Sequence, residues 1–159
     1  MVEIYTDGAA RGNPGRGGYG VVLLASGHRK ELSKGFRHTT NNRMELLAVI
    51  AGLEALKMKD LSITIYSDSK YVVEAVEKGW VFQWDKKSDF AKKKNKDLWK
   101  QFLKLYEYQN VSFVWVKGHS VNKENNRCDQ LATAAADGDV LAVDVVYEQE
   151  SNSKNGLFN

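Results

Sequence analysis

The chain has 159 residues, 43% of them hydrophobic and 27% charged, with a formal net charge of +3. That length suits one domain with a proper core. The single cysteine, Cys128, excludes an internal disulfide, and the start MVEIYTDG has neither a basic-then-apolar leader nor a long apolar run behind it. The expectation is a protein of the reducing cytoplasm with no membrane span. The charge is uneven: Asp85 to Lys104 holds eight lysines against three aspartates, a net of +5 that leaves −2 for the remainder. A mildly acidic body with one basic patch is the footprint of phosphate-backbone binding.

In chain order, Val2 to Asp7 reads as a strand, followed by the glycine-rich turn Gly12-Asn13-Pro14-Gly15-Arg16-Gly17-Gly18. Tyr19 to Ala25 and Arg29 to Phe36 are predicted as strands joined at Ser26-Gly27, so the opening is an antiparallel meander. Met44, Leu47, Ala48, Ala51, Ala55 and Leu56 fall at helical spacing and predict a helix over 41–59. Ser62 to Ser67 is β-branched and aromatic, hence a strand, leading through Asp68-Ser69 into a helix over 70–77. A tryptophan- and lysine-rich stretch precedes a helix near 96–107, a strand at 111–116, a polar loop over 117–125 and a last helix around 127–136. Beyond Asp137 the pattern weakens, and 151–159 is expected to be mobile. Strands linked by helices after a meander imply an α/β architecture: a mixed sheet with helices on its faces.

Four carboxylates stand out. Strand alternation puts Glu3, Tyr5 and Asp7 on one face, and Thr64, Tyr66 and Asp68 on another, so both aspartates end strands, where α/β sheets bind ligands. Asx-type turns at Asp7-Gly8 and Asp68-Ser69 account for them equally well. Glu45 stacks with Ala48, Val49, Gly52 and Leu56 on a stripe that should face the sheet. A buried carboxylate needs a partner, either a base such as Arg43 or a metal. Asp129 is expected in the first turn of the last helix, where the helix dipole alone explains an acidic residue. Taken together, the four would balance two Mg²⁺, an ion that takes oxygen ligands and leaves sites for phosphate. Two such ions about 4 Å apart serve in-line displacement at phosphorus. Without metal each close pair would cost about 4 kcal/mol.

Six blocks carry a resemblance: Thr6-Asp7-Gly8, Gly12-Asn13-Pro14-Gly15, Thr40-Asn41-Asn42-Arg43-Met44-Glu45-Leu46, Ser67-Asp68-Ser69-Lys70-Tyr71-Val72, Val116-Lys117-Gly118-His119 and Glu124-Asn125-Asn126-Arg127-Cys128-Asp129. In this order they resemble type 1 ribonuclease H, the bacterial ribonuclease HI family, over residues 2 to about 136. The resemblance implies a ribonuclease H-like fold with a five-stranded mixed sheet, and a catalytic domain over 1–136 with an extension over 137–159. It implies an endonuclease that hydrolyses the RNA strand of RNA/DNA hybrids with two Mg²⁺, leaving 5′-phosphate and 3′-hydroxyl ends, with Mn²⁺ left open as the alternative ion. Asp7, Glu45, Asp68 and Asp129 match the family's metal-binding carboxylates, and His119 its loop histidine, a proton relay or aid to product release. A histidine in such a loop titrates near neutral pH, although a solvated loop residue is the plainer account.

The group that distinguishes RNA is the 2′-hydroxyl, displayed in the wide minor groove of an A-like duplex. Asn13, Asn41 and Asn42 flank the carboxylates, and amides serve both its donor and its acceptor capacity. Lys70 stands where relatives often carry Gln. The glycine-rich turn lacks the Gly-Lys-Ser/Thr of a phosphate loop, and either brings backbone to the duplex or simply turns the chain. Trp80 and Trp84, four apart, offer flat surfaces for stacking, or else are core, as expected for Trp99 and Trp115. The lysine run, with Lys92, Lys93 and Lys94 after Phe90, resembles a shortened form of the basic handle, here about 80–97, with which type 1 enzymes grip DNA; a solvated linker is the alternative. The resemblance further implies that Thr40 and Asn95 help form a DNA phosphate pocket. A non-catalytic duplex-binding module and a DNA-directed nuclease of the same fold are the rival functions. With no apolar stripe left over, a monomer is expected.

Overall fold

The computed structural model describes residues 1–86, 93–117 and 122–156. Five strands form one mixed sheet: β1 (Val2–Ala10), β2 (Gly15–Ala25), β3 (His28–Thr39), β4 (Ser62–Ser67) and β5 (Asn110–Trp115), in the order β3-β2-β1-β4-β5. The first three pair antiparallel, while β4 lies parallel to both β1 and β5. Ser26 and Gly27 both take the left-handed conformation (φ 48° and 79°) that a two-residue hairpin turn requires. The meander and the parallel strands thus agree with the sequence reading, with β1, β2 and β3 longer than expected.

The helices are α1 (Asn41–Glu54), α2 (Lys70–Glu77), α3 (Trp80–Lys86), α4 (Lys96–Tyr106), α5 (Lys123–Asp137) and α6 (Val145–Gly156). Helix α1 packs on one sheet face and is backed by α4, so it is buried nearly all round, from Met44 and Leu46 to Ile50 and Leu53. It ends five residues before the predicted Lys59, because Lys57 to Asp60 are exposed and the chain must descend to β4. The main core lies on this side, with Ile4, Val21, Ile63, Ile65, Trp99 and Phe102 at its centre. Trp99 is fully buried, as expected, but Trp115 is 44% exposed because β5 is an edge strand and its last residue overhangs the core.

On the opposite face α5 covers β1, β2 and β3. Its inner side carries small residues, and Cys128, fully buried, packs with Tyr5 and Val22. The approach is so close that a Cβ on Gly20 would press on the Cys128 carbonyl oxygen, with Leu131 Cβ at 2.7 Å. Helix α5 also begins earlier than predicted, capped by the Asn122 side chain, which accepts from the Glu124 and Asn125 amides at 3.0 and 3.1 Å. Asp129 therefore sits in the second turn, not the first, and the dipole account of its charge lapses.

The weakly patterned end of the chain is not loose in the part described. Ala142 bridges Phe36 on the β3 edge, and residues 151–156, expected to be mobile, continue α6. Asp144 then enters the protein. Its carboxylate accepts from Arg43 Nε and Nη2 at 2.7 and 3.0 Å and from the Thr39 hydroxyl at 2.8 Å. Arg43 also makes a fork to Asp97 at 3.0 and 2.7 Å, so one buried guanidinium ties α1 to α4 and to the C-terminal segment. Such paired, hydrogen-bonded charges are stable in a core, where a single one is not. Neither partner is visible in the sequence, being 54 and 101 positions away.

Gly20→Ala is expected to cost about 2–3 kcal/mol of unfolding free energy, because α5 cannot retreat without breaking its own packing. Urea unfolding measures it; a midpoint equal to wild type would show that α5 has slack.

Candidate active site

The site lies where parallel pairing stops. The β1–β4 ladder ends at Tyr5↔Tyr66, so Asp7 and Asp68 project beyond the last paired residues at the carboxyl ends of neighbouring parallel strands. Asp7 is interior to β1 rather than at its end, since β1 runs on to Ala10 against β2 alone.

Glu45 comes from α1 on the other side of β1. Between them is Gly8, where a Cβ would collide with the backbone of Met44 and Glu45. The missing side chain lets α1 settle onto β1, and the Gly8 amide donates a short hydrogen bond to Glu45 Oε1. The result is a group of three carboxylates, Asp7, Glu45 and Asp68, each with an oxygen within 4.8 Å of the others. Asp129, exposed on α5, stands outside this group but faces Asp7, hydrogen-bonding to it and repelling its charge.

The plainer accounts of these residues fare unevenly. Gly8 N bonds Asp7 Oδ1 at 2.9 Å, but an Asx turn needs the amide two residues on, and β1 runs straight through both residues, so no turn is made there. At Asp68 the turn is made by others: Ser67 Oγ accepts from the Ser69 amide at 3.1 Å, and Ser69 Oγ caps α2 by accepting from Val72 N at 3.2 Å. Glu45 is only 7% exposed, and its candidate neutraliser Arg43 is committed to Asp97 and Asp144.

The electrostatic consequence is strong. Burial, then the charges of Asp68 and Asp129, push the Asp7 carboxyl up to about 7, partly opposed by a hydrogen bond from Glu45. Burial, then Asp7 and Asp68, hold Glu45 well above the ordinary carboxylate range. Two carboxyls so raised describe a pocket short of positive charge. An all-oxygen donor set, partly buried and self-repelling, fits a hard divalent cation.

The predicted substrate residues gather near this cluster in part. Asn41 Oδ1 accepts from the Ala10 amide at 2.6 Å, and Asn13 Oδ1 accepts from the Asn41 amide at 3.0 Å, which fixes the glycine-rich turn against α1. Their carbonyl oxygens are thereby used, leaving the amide NH2 groups as donors. A polar cavity of about 410 Å³ is lined by Asn13, Thr40, Asn42, Lys94 and Asn95, together with two α6 residues, Tyr147 and Glu150. Thr40 Oγ1 accepts from Arg43 N at 3.3 Å and caps α1, while Asn95 Nδ2 donates to the Tyr71 hydroxyl at 3.0 Å.

Trp84 is half-buried against Trp99, with Lys93 Nζ 5.3 Å from its ring centre, whereas Trp80 is 42% exposed under Lys78. Lys70 Nζ lies 5.1 Å from the Trp115 ring, whose Nε1 donates to the Asp68 carbonyl oxygen at 3.3 Å. His119, Phe90 and Lys92 lie outside the described residues. What sequence reasoning missed is Gly8 as the opening for Glu45, and Tyr147 and Glu150 as cavity walls; only Gly8 left a trace, as the glycine directly after Asp7.

The RNase H family model matches residues 1–137. This chain belongs to the RNase H family. It is 59% identical over 148 residues to a ribonuclease H of Desulforamulus reducens, covering 91% of this chain and 92% of that protein. It is 47% identical over 155 residues to a ribonuclease HI of Shewanella oneidensis, covering 95% and 97%. Among solved structures, LC11-RNase H1 in complex with an RNA/DNA hybrid superposes with a TM-score of 0.66 at 30% identity, covering 86% of this chain and 97% of that one. The five-stranded sheet and its order are therefore those of the RNase H fold. The carboxylates occur within the stretch the family model matches, whereas α6 lies beyond it.

The raised Asp7 carboxyl sets a pH dependence for the metal-free protein. The folded state holds a proton that the unfolded chain, with an ordinary value near 4, has released, so this contribution to stability is present below about pH 4 and lost as pH rises through about 7. Asp7→Asn removes the effect. In EDTA its melting temperature is expected to equal wild type at pH 4 and exceed it by several degrees at pH 8; a variant less stable at pH 8 would make Asp7 a structural residue.

Proposed function

We propose that this protein is an endonuclease that hydrolyses the RNA strand of RNA/DNA hybrids, leaving 5′-phosphate and 3′-hydroxyl ends. The observation that carries the proposal is the Asp7, Glu45 and Asp68 cluster, three carboxylate oxygens within 4.8 Å of one another with no base among the described residues to neutralise Glu45. In this reading Asp7, Glu45, Asp68 and Asp129 hold two Mg²⁺, which supply Lewis acidity for an in-line displacement at phosphorus. The Gly8 amide and the burial of Glu45 orient that carboxylate, and Asp7 sits between it and Asp129. His119 takes the proton-relay role that the family resemblance gives it.

Recognition of the hybrid follows from the same geometry. The NH2 groups of Asn13 and Asn41, with Asn42 beside them, are offered to 2′-hydroxyl oxygens in the minor groove. Thr40, Asn42, Lys94 and Asn95 receive a phosphate of the DNA strand in the polar cavity. Lys93 and Lys94, with Lys92 between them and Phe90, extend the grip along the backbone, and exposed Trp80 offers a ring to sugar or base. Trp84, half-buried, supports this surface from beneath, and Lys70 closes over Trp115 beside Asp68. A non-catalytic binding module is disfavoured, since clustered anions beside phosphates would only weaken binding. No helix among the described residues is long and apolar enough to cross a membrane. We place the protein in the cytoplasm, acting as a monomer.

Purified protein with Mg²⁺ is expected to cut the RNA strand of a hybrid and spare double-stranded DNA and RNA, with EDTA abolishing the reaction; an intact hybrid sinks the proposal. Replacing Lys92, Lys93 and Lys94 together by Ala is expected to raise KM and to reduce the slope of log KM against log salt by about one for each phosphate no longer neutralised. An unchanged slope removes these lysines from the interface.

A further inference from the structure

The polar cavity at the start of α1 is not built by the nuclease core alone. Two of its walls come from the start of α1 and the start of α4, which carry Thr40 and Asn42, and Asn95 with the adjacent Lys94. The glycine-rich turn adds Asn13, and the remaining side is α6, through Tyr147 and Glu150, which are three residues apart and so share one helical face.

Helix α6 is fastened in place at several points. Asp144 is bound to Arg43 and Thr39; the Glu148 carboxylate accepts from Arg37 Nε and Nη2 at 2.9 and 2.8 Å; and the Tyr147 ring lies 5.4 Å from that of His38. Arg43 also donates to Asn95 Oδ1 at 3.3 Å, so the residue that holds α6 touches the opposite wall of the cavity.

The charge of this cavity is unusual for an anion site. Among the described residues that line it, Lys94 is the one cation and Glu150 the one anion; the others are amides and hydroxyls. A phosphodiester entering it meets donors and an ammonium, but with a carboxylate at the same mouth. Opposite charges on facing walls of one cavity offset each other, and an anionic wall lowers the capture of a polyanion while the neutral donors keep their geometry.

We propose that α6 is a functional wall of the substrate grip, and that Glu150 is a specificity-determining residue that weakens nucleic-acid capture at the Lys94–Asn95 cavity. This inference rests on the nuclease reading above. Its effect is to restrain the basic region: a duplex whose backbone fits the amide and hydroxyl donors gains their hydrogen bonds, while one held by charge alone is held less tightly. Removing the carboxylate therefore strengthens general polyanion binding more than it strengthens hybrid binding.

The test uses the full chain. Dissociation constants of a fluorescent RNA/DNA hybrid and of double-stranded DNA are measured in EDTA at 50 and 200 mM salt for wild type, Glu150→Gln and Glu150→Lys, with cleavage by wild type in Mg²⁺ assayed separately. Because Glu150 is exposed, both variants are expected to melt like wild type. Glu150→Gln is expected to tighten double-stranded DNA binding about threefold at low salt, the scale of one surface charge interaction, and hybrid binding by less. Glu150→Lys should do more, and both gains should shrink at higher salt. Unchanged or weaker binding in both variants overturns the proposal, as does equal tightening of the two duplexes for its specificity part. If wild type binds the hybrid without cutting it, the nuclease reading falls while this comparison still decides the role of Glu150; if wild type binds neither duplex, both fall.

Discussion

Everything at this site depends on α1 lying against β1 at Gly8. A helix packed on a sheet normally keeps the distance its side chains impose, and that distance would leave a carboxylate on the helix out of reach of one on the far face of the strand. With no side chain at Gly8 the two backbones meet, and Glu45 gains the Gly8 amide as a partner while coming to face Asp7. The end of the β1–β4 ladder supplies the other condition, because beyond Tyr5↔Tyr66 nothing separates the two faces of the sheet. Carboxylates from both faces can then meet in one place.

Holding like charges together costs stability, and the fold leaves that repulsion in place by keeping its own cations elsewhere. Arg43 is two residues from Glu45, yet its guanidinium is fully engaged with Asp97 and Asp144. On the outer surface Arg29 and Arg127 are paired with Glu31 and Glu124. Arg43 and Arg127, each two residues from a carboxylate of the site, are thereby satisfied by other partners, and Lys70, two residues from Asp68, lies over the Trp115 ring, so the pocket stays negative. Stability of the frame and affinity of the site for cations have the same origin: an ion pair that forms in one place is unavailable in another.

Much of this is legible in the sequence where the signal is local. The meander, the hairpin at Ser26-Gly27, the 70–77 helix and the oddity of Glu45 all follow from patterns a few residues long. That Asp68 follows directly on a strand is legible from composition, whereas the adjacency of that strand, β4, to β1 comes only with the sheet order. What escapes such patterns is long-range or contextual. Asp129 reads as a first-turn residue because the Asn122 cap, several residues upstream, has the polar composition of a loop. Trp115 has the chemistry of a core residue, although an edge strand cannot cover it. Helix α6 has little amphipathic pattern because it is held by Asp144 and Glu148 through ion pairs rather than by an apolar stripe, and ion pairs between residues a hundred positions apart leave no periodicity.

The burial of Cys128 gives the molecule an internal gauge. Its thiol is sealed beneath α5 against Tyr5 and Val22, and burial raises its proton affinity, so the reactive thiolate is scarce while the helix is seated. Any reagent that modifies it must wait for α5 to lift, and α5 carries Asp129 in the next position. The alkylation rate of this one thiol therefore reports how often the acidic pocket comes apart, without a label having to be introduced.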